Sequence, residues 1–98
     1  MLFIVRFEDD PTKLLVRQTL LTAHINYLDS VKSIVLLAGS LRDDLLGFPV
    51  GGLWIVEACN KAAVMEIIQS DPFWKGGLRK SWVIQHWSRA FEDRQVLI

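Results

Sequence analysis

Short apolar segments recur along the chain between polar clusters, and they predict a sheet of four strands. Each segment is rich in aromatic or β-branched residues, or is apolar along nearly its whole length. The segments occupy residues 2–8, 33–41, 51–58 and 82–91. Large apolar residues occupy both alternating sets of positions, so neither face of the sheet is predicted to be polar.

Two segments with the periodicity of helices lie between these strands. Residues 12–28 follow Asp10 and Pro11, which are favourable at the N-cap and at the first position of a helix. Residues 61–68 follow Asn60, a second favourable N-cap. The order βαββαβ predicts a ferredoxin-like α+β fold, in which a four-stranded antiparallel sheet carries both helices on one face. No internal repeat or linker interrupts this pattern, so residues 1–98 are expected to form a single domain.

The first predicted helix carries two stripes of residues at helical spacing. The stripe that we expect to face the sheet is apolar and consists of Leu14, Leu21, Ile25 and Leu28. The stripe beside it consists of Arg17, Leu20, His24 and Tyr27. A histidine and a tyrosine on a mostly apolar flank predict polar partners elsewhere in the fold.

The segment from Ser70 to Leu78, SDPFWKGGL, is the most distinctive of the sequence. Pro72 disfavours the α conformation of Asp71, so the second helix is predicted to end near Ser70. The two aromatic residues that follow are too apolar for an exposed loop tip, and the two glycines permit a tight turn. We expect an ordered loop that holds the Asp71 carboxylate. The alternative is an ordinary helix stop with two aromatic residues in the core.

Composition and charge exclude several classes of function. Eleven basic residues balance eleven acidic ones without a basic run, so nucleic acid is not an expected partner. The apolar runs are too short to cross a membrane, and the first residues lack a signal peptide's basic region, so a soluble cytoplasmic protein is expected. One cysteine, Cys59, and two widely spaced histidines match no disulfide or zinc pattern. We therefore expect no metal and no cofactor.

Half of the residues are apolar, which exceeds what the core of so short a chain requires. A bare sheet with apolar side chains on both faces would leave a large apolar surface. The simplest cover is the same face of a second copy, so a homodimer through the helix-free sheet faces is predicted. Its interface is expected to exceed about 1,000 Å².

Several short motifs occur in an order that is hard to obtain by chance. They are His24-Ile25 with Tyr27-Leu28, Ala38-Gly39, Gly51, and Ser70-Asp71-Pro72-Phe73 with Gly77-Leu78. With these motifs the chain resembles the YciI-like family of the dimeric α+β barrel superfamily. The resemblance implies a ferredoxin-like protomer, a homodimer, and a pocket where a helix histidine meets the loop aspartate. Some relatives in this family look like lyases or dehydrohalogenases that act on small cyclic or aromatic acids.

His24 is the candidate general acid or base, since imidazole titrates near neutral pH. Asp71 is the candidate carboxylate that fixes its tautomer, and a structural hydrogen-bonded histidine is the alternative. The residues predicted to bind substrate are Tyr27, Gly39, Ser40 and Phe73. For His86 we predict a structural role, and for Cys59 a buried position.

Two functions remain open at this point. The first is a small cofactor-independent enzyme of lyase or isomerase type, in which His24 transfers a proton on a small, possibly cyclic, organic substrate. The second is a non-catalytic homodimeric module that binds a ligand or a partner. Compared with the family pattern, Leu21 replaces an arginine and Ser40 replaces a proline, while Arg17 lies two turns before the histidine. These departures favour a different substrate or a reduced site.

Overall fold

The computed structural model, which describes residues 1–94, contains one antiparallel sheet of four strands. In chain order the strands are β1 (Leu2–Asp9), β2 (Val35–Leu41), β3 (Gly51–Glu57) and β4 (Arg79–His86). Their order across the sheet is β2-β3-β1-β4, and every neighbouring pair is antiparallel. This ferredoxin-like α+β architecture, the fold of the dimeric α+β barrel superfamily, confirms the predicted fold class. The last four residues of the predicted domain lie outside the described part of the chain.

Three helices connect these strands, and the predicted capping residues Asp10 and Asn60 cap the 3₁₀ turn before the first helix and the second helix, respectively. The helices are α1 (Leu14–Ser30), which follows a 3₁₀ turn at Pro11–Lys13, α2 (Lys61–Gln69) and α3 (Pro72–Lys75). The Asp10 carboxylate accepts the backbone N–H of Thr12 at 2.9 Å, and the Asn60 side chain accepts that of Ala63 at 2.8 Å. These bonds satisfy backbone donors that have no partner within their own helix.

The hydrophobic core lies between the helices and one face of the sheet. Because Phe3 pairs with Val56 and Val5 with Trp54, alternate residues of β1 and β3 form its floor. The fully or almost fully buried members from the two central strands and α2 are Phe3, Val5, Phe7, Trp54, Val56, Val64 and Ile68. Leu28, Trp74 and Trp82 pack against this cluster and complete it.

The opposite face of the sheet has no helix of the described chain over it, and it is less uniformly apolar than predicted. Ile4, Leu53 and Ile55 lie on it partly exposed, and Val83 is 51% exposed. The polar residues Arg6, Glu8, Ser81 and Gln85 share this face. The prediction that neither face is polar is therefore wrong for β1 and β4. Their register places charged or amide side chains at alternate outward positions.

The last strand and the segment before it differ from the prediction. Strand β4 begins at Arg79 and ends at His86, whereas the sequence pattern placed it at residues 82–91. The segment expected to be a loop contains the helical turn α3, which Asp71 caps by accepting the backbone N–H of Phe73 at 3.1 Å. Gly77, with φ of 81°, then turns the chain into β4.

Helix α3 packs closely on α1, and a glycine permits this contact. A Cβ atom at Gly76 would lie 2.5 Å from Leu20 Cδ1 and 3.0 Å from Val16 Cγ1. Without a side chain at this position, the two helices approach each other. The approach carries Asp71, at the start of α3, to His24 on α1.

Candidate active site

His24 and Asp71, here called the His–Asp pair, form a buried hydrogen bond. The distance from His24 Nδ1 to Asp71 Oδ1 is 2.7 Å, and both side chains are more than nine-tenths buried. A carboxylate only accepts, so Nδ1 donates this hydrogen bond, and in the neutral ring Nε2 keeps a free lone pair. The Phe73 ring stacks on the imidazole with centroids 3.8 Å apart and planes within 9°. The pair is thus fixed in both position and tautomer.

The predicted apolar stripe of α1 does not pack on the sheet as a whole. Leu28 contacts the core, but Leu21 and Ile25 are 45% and 53% exposed. His24, from the neighbouring stripe, is the buried residue of this helix instead. Leu21 and Ile25 lie on a cavity that separates α1 from β2 and β3. These two residues face the sheet as predicted, but across a cavity, because periodicity does not distinguish a packed wall from the wall of a cavity.

This cavity has a volume of about 240 Å³. Its lining includes Leu21, His24, Ile25, Gly39, Ser40 and Trp54. A dry cavity of about 150 Å³ accommodates benzene, so the present one is large enough for a single substituted ring. His24 therefore borders a space of small-molecule size, whose lining combines apolar side chains with the arginines Arg17, Arg42 and Arg79.

Two arginines and an aspartate, here called the arginine cluster, border the same region. Asp9 at the end of β1 accepts a hydrogen bond from Arg79 Nη1 at 2.7 Å and another from Arg17 Nη2. The Arg17 and Arg79 guanidinium carbons lie 5.1 and 5.2 Å from the Phe73 ring centroid. Burial lowers the pKa of Arg79, and the hydrogen bond to Asp9 opposes that effect. Both arginines line the cavity.

No sequence pattern marked this cluster as part of a site. Arg79 lies outside the strand predicted at residues 82–91, and Asp9 directly follows the strand predicted at residues 2–8. The two residues are neighbours only because β1 and β4 pair in register at Asp9 and Arg79. Pairing across 70 residues leaves no local signal. The motif Gly77-Leu78-Arg79, directly after the distinctive segment, was the available hint.

The residues predicted to bind substrate fall into three places. Gly39 and Ser40 line the cavity from β2. Phe73, on α3, stacks on the His24 ring and is not among the residues that line the cavity. The Tyr27 hydroxyl donates to the carbonyl oxygen of Ile67 at 2.6 Å, so the structure does not bring it to the cavity. Burial, followed by the nearby Asp71 charge, raises the pKa of this phenol.

The remaining two candidates of the sequence lie away from the cavity. His86 is the last residue of β4, and its ring centroid lies 4.6 Å from that of Phe3. Cys59 is exposed, so the prediction that it is buried was wrong. It follows β3 directly and precedes the cap of α2, where the chain leaves the sheet.

A second cavity, of about 550 Å³, lies on the other side of Asp9 and Arg17. Leu14, Phe48 and Leu78 supply part of its apolar lining, and no histidine or cysteine borders it. It offers charged groups but no base that titrates near neutral pH. The smaller cavity beside His24 is therefore the candidate active site.

Neither a metal cluster nor a membrane span is found within residues 1–94. No three side chains of His, Cys, Asp or Glu converge there as metal ligands would. None of the helices in that range has the length and apolar character needed to cross a bilayer.

The family model for the YCII-related domain matches residues 1–88. The chain belongs to the YCII-related family. The resemblance seen in the sequence is thereby confirmed. No protein of curated function matches this YCII-related chain.

Among solved structures, the chain is similar to the 5-chloro-2-hydroxyhydroquinone dehydrochlorinase TftG from Burkholderia phenoliruptrix AC1100, in complex with 2,5-dihydroxybenzoquinone. The identity is 29%, the match covers 92% of this chain and 96% of that one, and the TM-score is 0.83. A putative antibiotic biosynthesis monooxygenase from Bacteriodes thetaiotaomicron VPI-5482 is 17% identical over 99% of this chain and 95% of its own, with a TM-score of 0.59. This second likeness shows the fold alone.

Proposed function

We propose that this YCII-related protein is a small cofactor-independent lyase that catalyses an elimination on a single-ring, hydroxylated substrate. The observation that carries the proposal is the hydrogen bond from His24 Nδ1 to Asp71 Oδ1 at 2.7 Å, beside a cavity of ring size. The likeness to TftG, a dehydrochlorinase in complex with a dihydroxybenzoquinone, supports the reaction type and the substrate class.

In the proposed reaction, His24 Nε2 accepts a proton from an O–H or C–H group of the bound ring. On an aromatic ring such as a chlorohydroquinone, the carbon that carries the leaving group first takes up a proton while the neighbouring hydroxyl becomes a carbonyl. Loss of a second hydroxyl proton to His24 then forms the second carbonyl, the C–Cl bond breaks, and chloride departs with its bonding electrons. The Asp71 carboxylate stabilises the imidazolium that results and keeps its orientation. The imidazolium then gives its proton to the leaving group or to water, which restores the neutral base.

The cavity walls contribute by enclosing the ring. Leu21 and Ile25 lie on the helical side, while Gly39 and Ser40 lie on the β2 side. The apolar side chains of this lining strengthen the charge interactions of His24, because they displace water molecules that would screen them. The Phe73 ring, stacked on the imidazole, prevents His24 from turning out of line.

The experiment is to incubate the protein with 5-chloro-2-hydroxyhydroquinone and to measure chloride release. We expect turnover by the wild type and a loss of about 10²- to 10⁴-fold in His24→Gln, the range typical of general base catalysis. His86→Gln is the matched control, since His86 lies outside the cavity. Equal rates in the wild type and His24→Gln would refute the assignment. Ring binding without turnover would support the ligand-binding module instead.

We also propose a homodimer through the helix-free face of the sheet. Its support is the set of partly exposed apolar residues on that face, which includes Ile4, Leu53 and Ile55. Arg6 lies among them and needs a carboxylate or water across the interface. Light scattering at micromolar concentration is expected to give twice the mass of the chain. Leu53→Asp is expected to shift the protein to monomer, and a monomeric wild type would contradict the proposal.

A further inference from the structure

We infer that Arg17 and Arg79, held by Asp9, form an anion-binding wall of the cavity that selects substrates with an ionised oxygen. This inference rests on the proposed function, because it names the substrate class for the same site. Both arginines line the cavity together with His24. Neither belongs to the residues that the sequence motifs predicted.

The positive and negative charges around the cavity do not balance. The arginine cluster holds two guanidinium groups and one carboxylate, so it carries an excess of one positive charge. The other buried carboxylate, Asp71, keeps its negative charge, because the hydrogen bond from the His24 ring does not remove it. A third arginine, Arg42, also lines the cavity, so three guanidinium groups stand against two carboxylates and one positive charge remains in excess there. A neutral ring would leave it uncompensated, whereas an anion would balance it.

The two arginines of the cluster have more N–H groups than Asp9 can accept. Each guanidinium has five N–H groups, and Asp9 accepts one hydrogen bond from each arginine. The Nε atoms of Arg17 and Arg79 are buried and have no hydrogen-bond partner within the described residues. Buried donors of this kind cost free energy unless they meet an acceptor. The cluster therefore has more donors than acceptors, and a negatively charged oxygen in the cavity would accept from N–H groups of Arg17 and Arg79 that Asp9 leaves free.

The sheet leaves room for the guanidinium group of Arg79. A Cβ atom at Gly52 on β3 would lie 3.2 Å from both Nη atoms of Arg79. Asp9 and the Phe7 ring, whose centroid is 4.4 Å from the guanidinium carbon, complete this seat. The position of Arg79 is thus defined on three sides. Asp9 acts as a positioning residue, since it orients both arginines and already has its oxygens occupied.

The wall also has a role in the proposed elimination. When His24 takes a proton from a hydroxylated ring, the ring oxygen acquires negative charge. Two guanidinium groups on the same cavity stabilise that charge without reorganisation of solvent. A substrate that is already ionised at the neighbouring oxygen would bind most tightly. A neutral ring of the same size would gain only the apolar contacts.

The test compares two ring compounds by isothermal titration calorimetry. The probe 2,5-dihydroxybenzoquinone is ionised at neutral pH, and 1,4-hydroquinone is neutral. In the wild type we expect the ionised compound to bind at least about tenfold more tightly. In Arg17→Gln and Arg79→Gln that preference is expected to fall about tenfold, with hydroquinone binding nearly unchanged. Arg89→Gln is the matched control, because Arg89 is exposed beyond β4 and lines neither cavity.

Asp9→Asn tests the positioning role. If Asp9 orients the arginines, the variant is expected to lose preference for the ionised compound while it still binds hydroquinone. Should that variant fail to fold, Arg17→Lys keeps the charge but not the paired geometry, and a partial loss of preference is expected. Equal affinity of the wild type for both compounds, or an unchanged preference in both arginine variants, would overturn the inference. Preferential binding without turnover would refute the lyase and leave the anion site standing.

Discussion

The His–Asp pair and the arginine cluster border the same cavity, but different parts of the chain hold them. Asp71 is supported locally, because the oxygen that meets His24 also caps α3 through the N–H of Phe73. Asp9 depends on β1, α1 and β4 coming together, since its two partners lie 8 and 70 residues away. The first group is a local motif to which one helix adds a histidine. The second exists only in the assembled sheet.

This difference predicts how each group responds to substitution. A carboxylate that caps a helix can be replaced by an amide with the capping oxygen kept. A carboxylate between two buried cations cannot be removed without leaving charges unpaired. We therefore expect substitutions in the arginine cluster to lower the free energy of unfolding more than substitutions in the His–Asp pair. Substitutions in the His–Asp pair are expected to lower the rate of proton transfer more.

The largest effect is expected for Asp9→Ala. It leaves two buried guanidinium groups without their shared partner, which costs roughly 3–5 kcal/mol in comparable buried pairs. Urea denaturation followed by tryptophan fluorescence measures the free energy of unfolding. The control is Glu8→Ala, whose exposed contact with Lys80 at 3.6 Å is expected to contribute at most about 1 kcal/mol. Similar losses of unfolding free energy in both variants would contradict the prediction that the buried cluster contributes more than the exposed ion pair.

The second-largest loss of stability is expected for Asp71→Asn. The amide oxygen keeps the N–H of Phe73 as its donor, so the fold is retained and the loss is about 1.5–3 kcal/mol at most. Proton transfer by His24 is expected to fall strongly, because a neutral amide no longer stabilises the imidazolium. Chloride release and urea denaturation on the same preparation measure the two losses. A variant that does not fold would show that Asp71 is mainly a structural cap.

The smallest effect is expected for Tyr27→Phe, beside the His–Asp pair. Loss of the hydrogen bond to the Ile67 carbonyl is expected to cost about 1 kcal/mol at neutral pH. The pKa of Tyr27 is raised in the folded protein above its ordinary value of 10.0, so its stabilisation is fully present below pH 10.0. That stabilisation is lost as the pH rises through the folded pKa. Denaturation at neutral and at strongly alkaline pH should therefore show the wild type's advantage disappearing, and a constant difference would contradict the prediction.

Sequence reasoning succeeded where a signal is local. The two N-caps, Asp10 and Asn60, were predicted because capping involves only neighbouring residues, and the structure shows both hydrogen bonds. The order of strands and helices followed from periodicity, and that order restricts the topology to a ferredoxin-like sheet. His24 and Asp71 were linked by family motifs, and the structure places them in contact.

The sequence by itself therefore determined the order of the strands and the two longer helices, the caps at Asp10 and Asn60, and the two residues of the His–Asp pair. Only the tertiary structure decided that Arg79 begins β4 and meets Asp9, because that contact depends on strand register across 70 residues. It also decided that Leu21 and Ile25 line a cavity instead of the core. Periodicity reports which residues share a face, whereas the distance to the opposite surface depends on how α1, α3 and the sheet pack together.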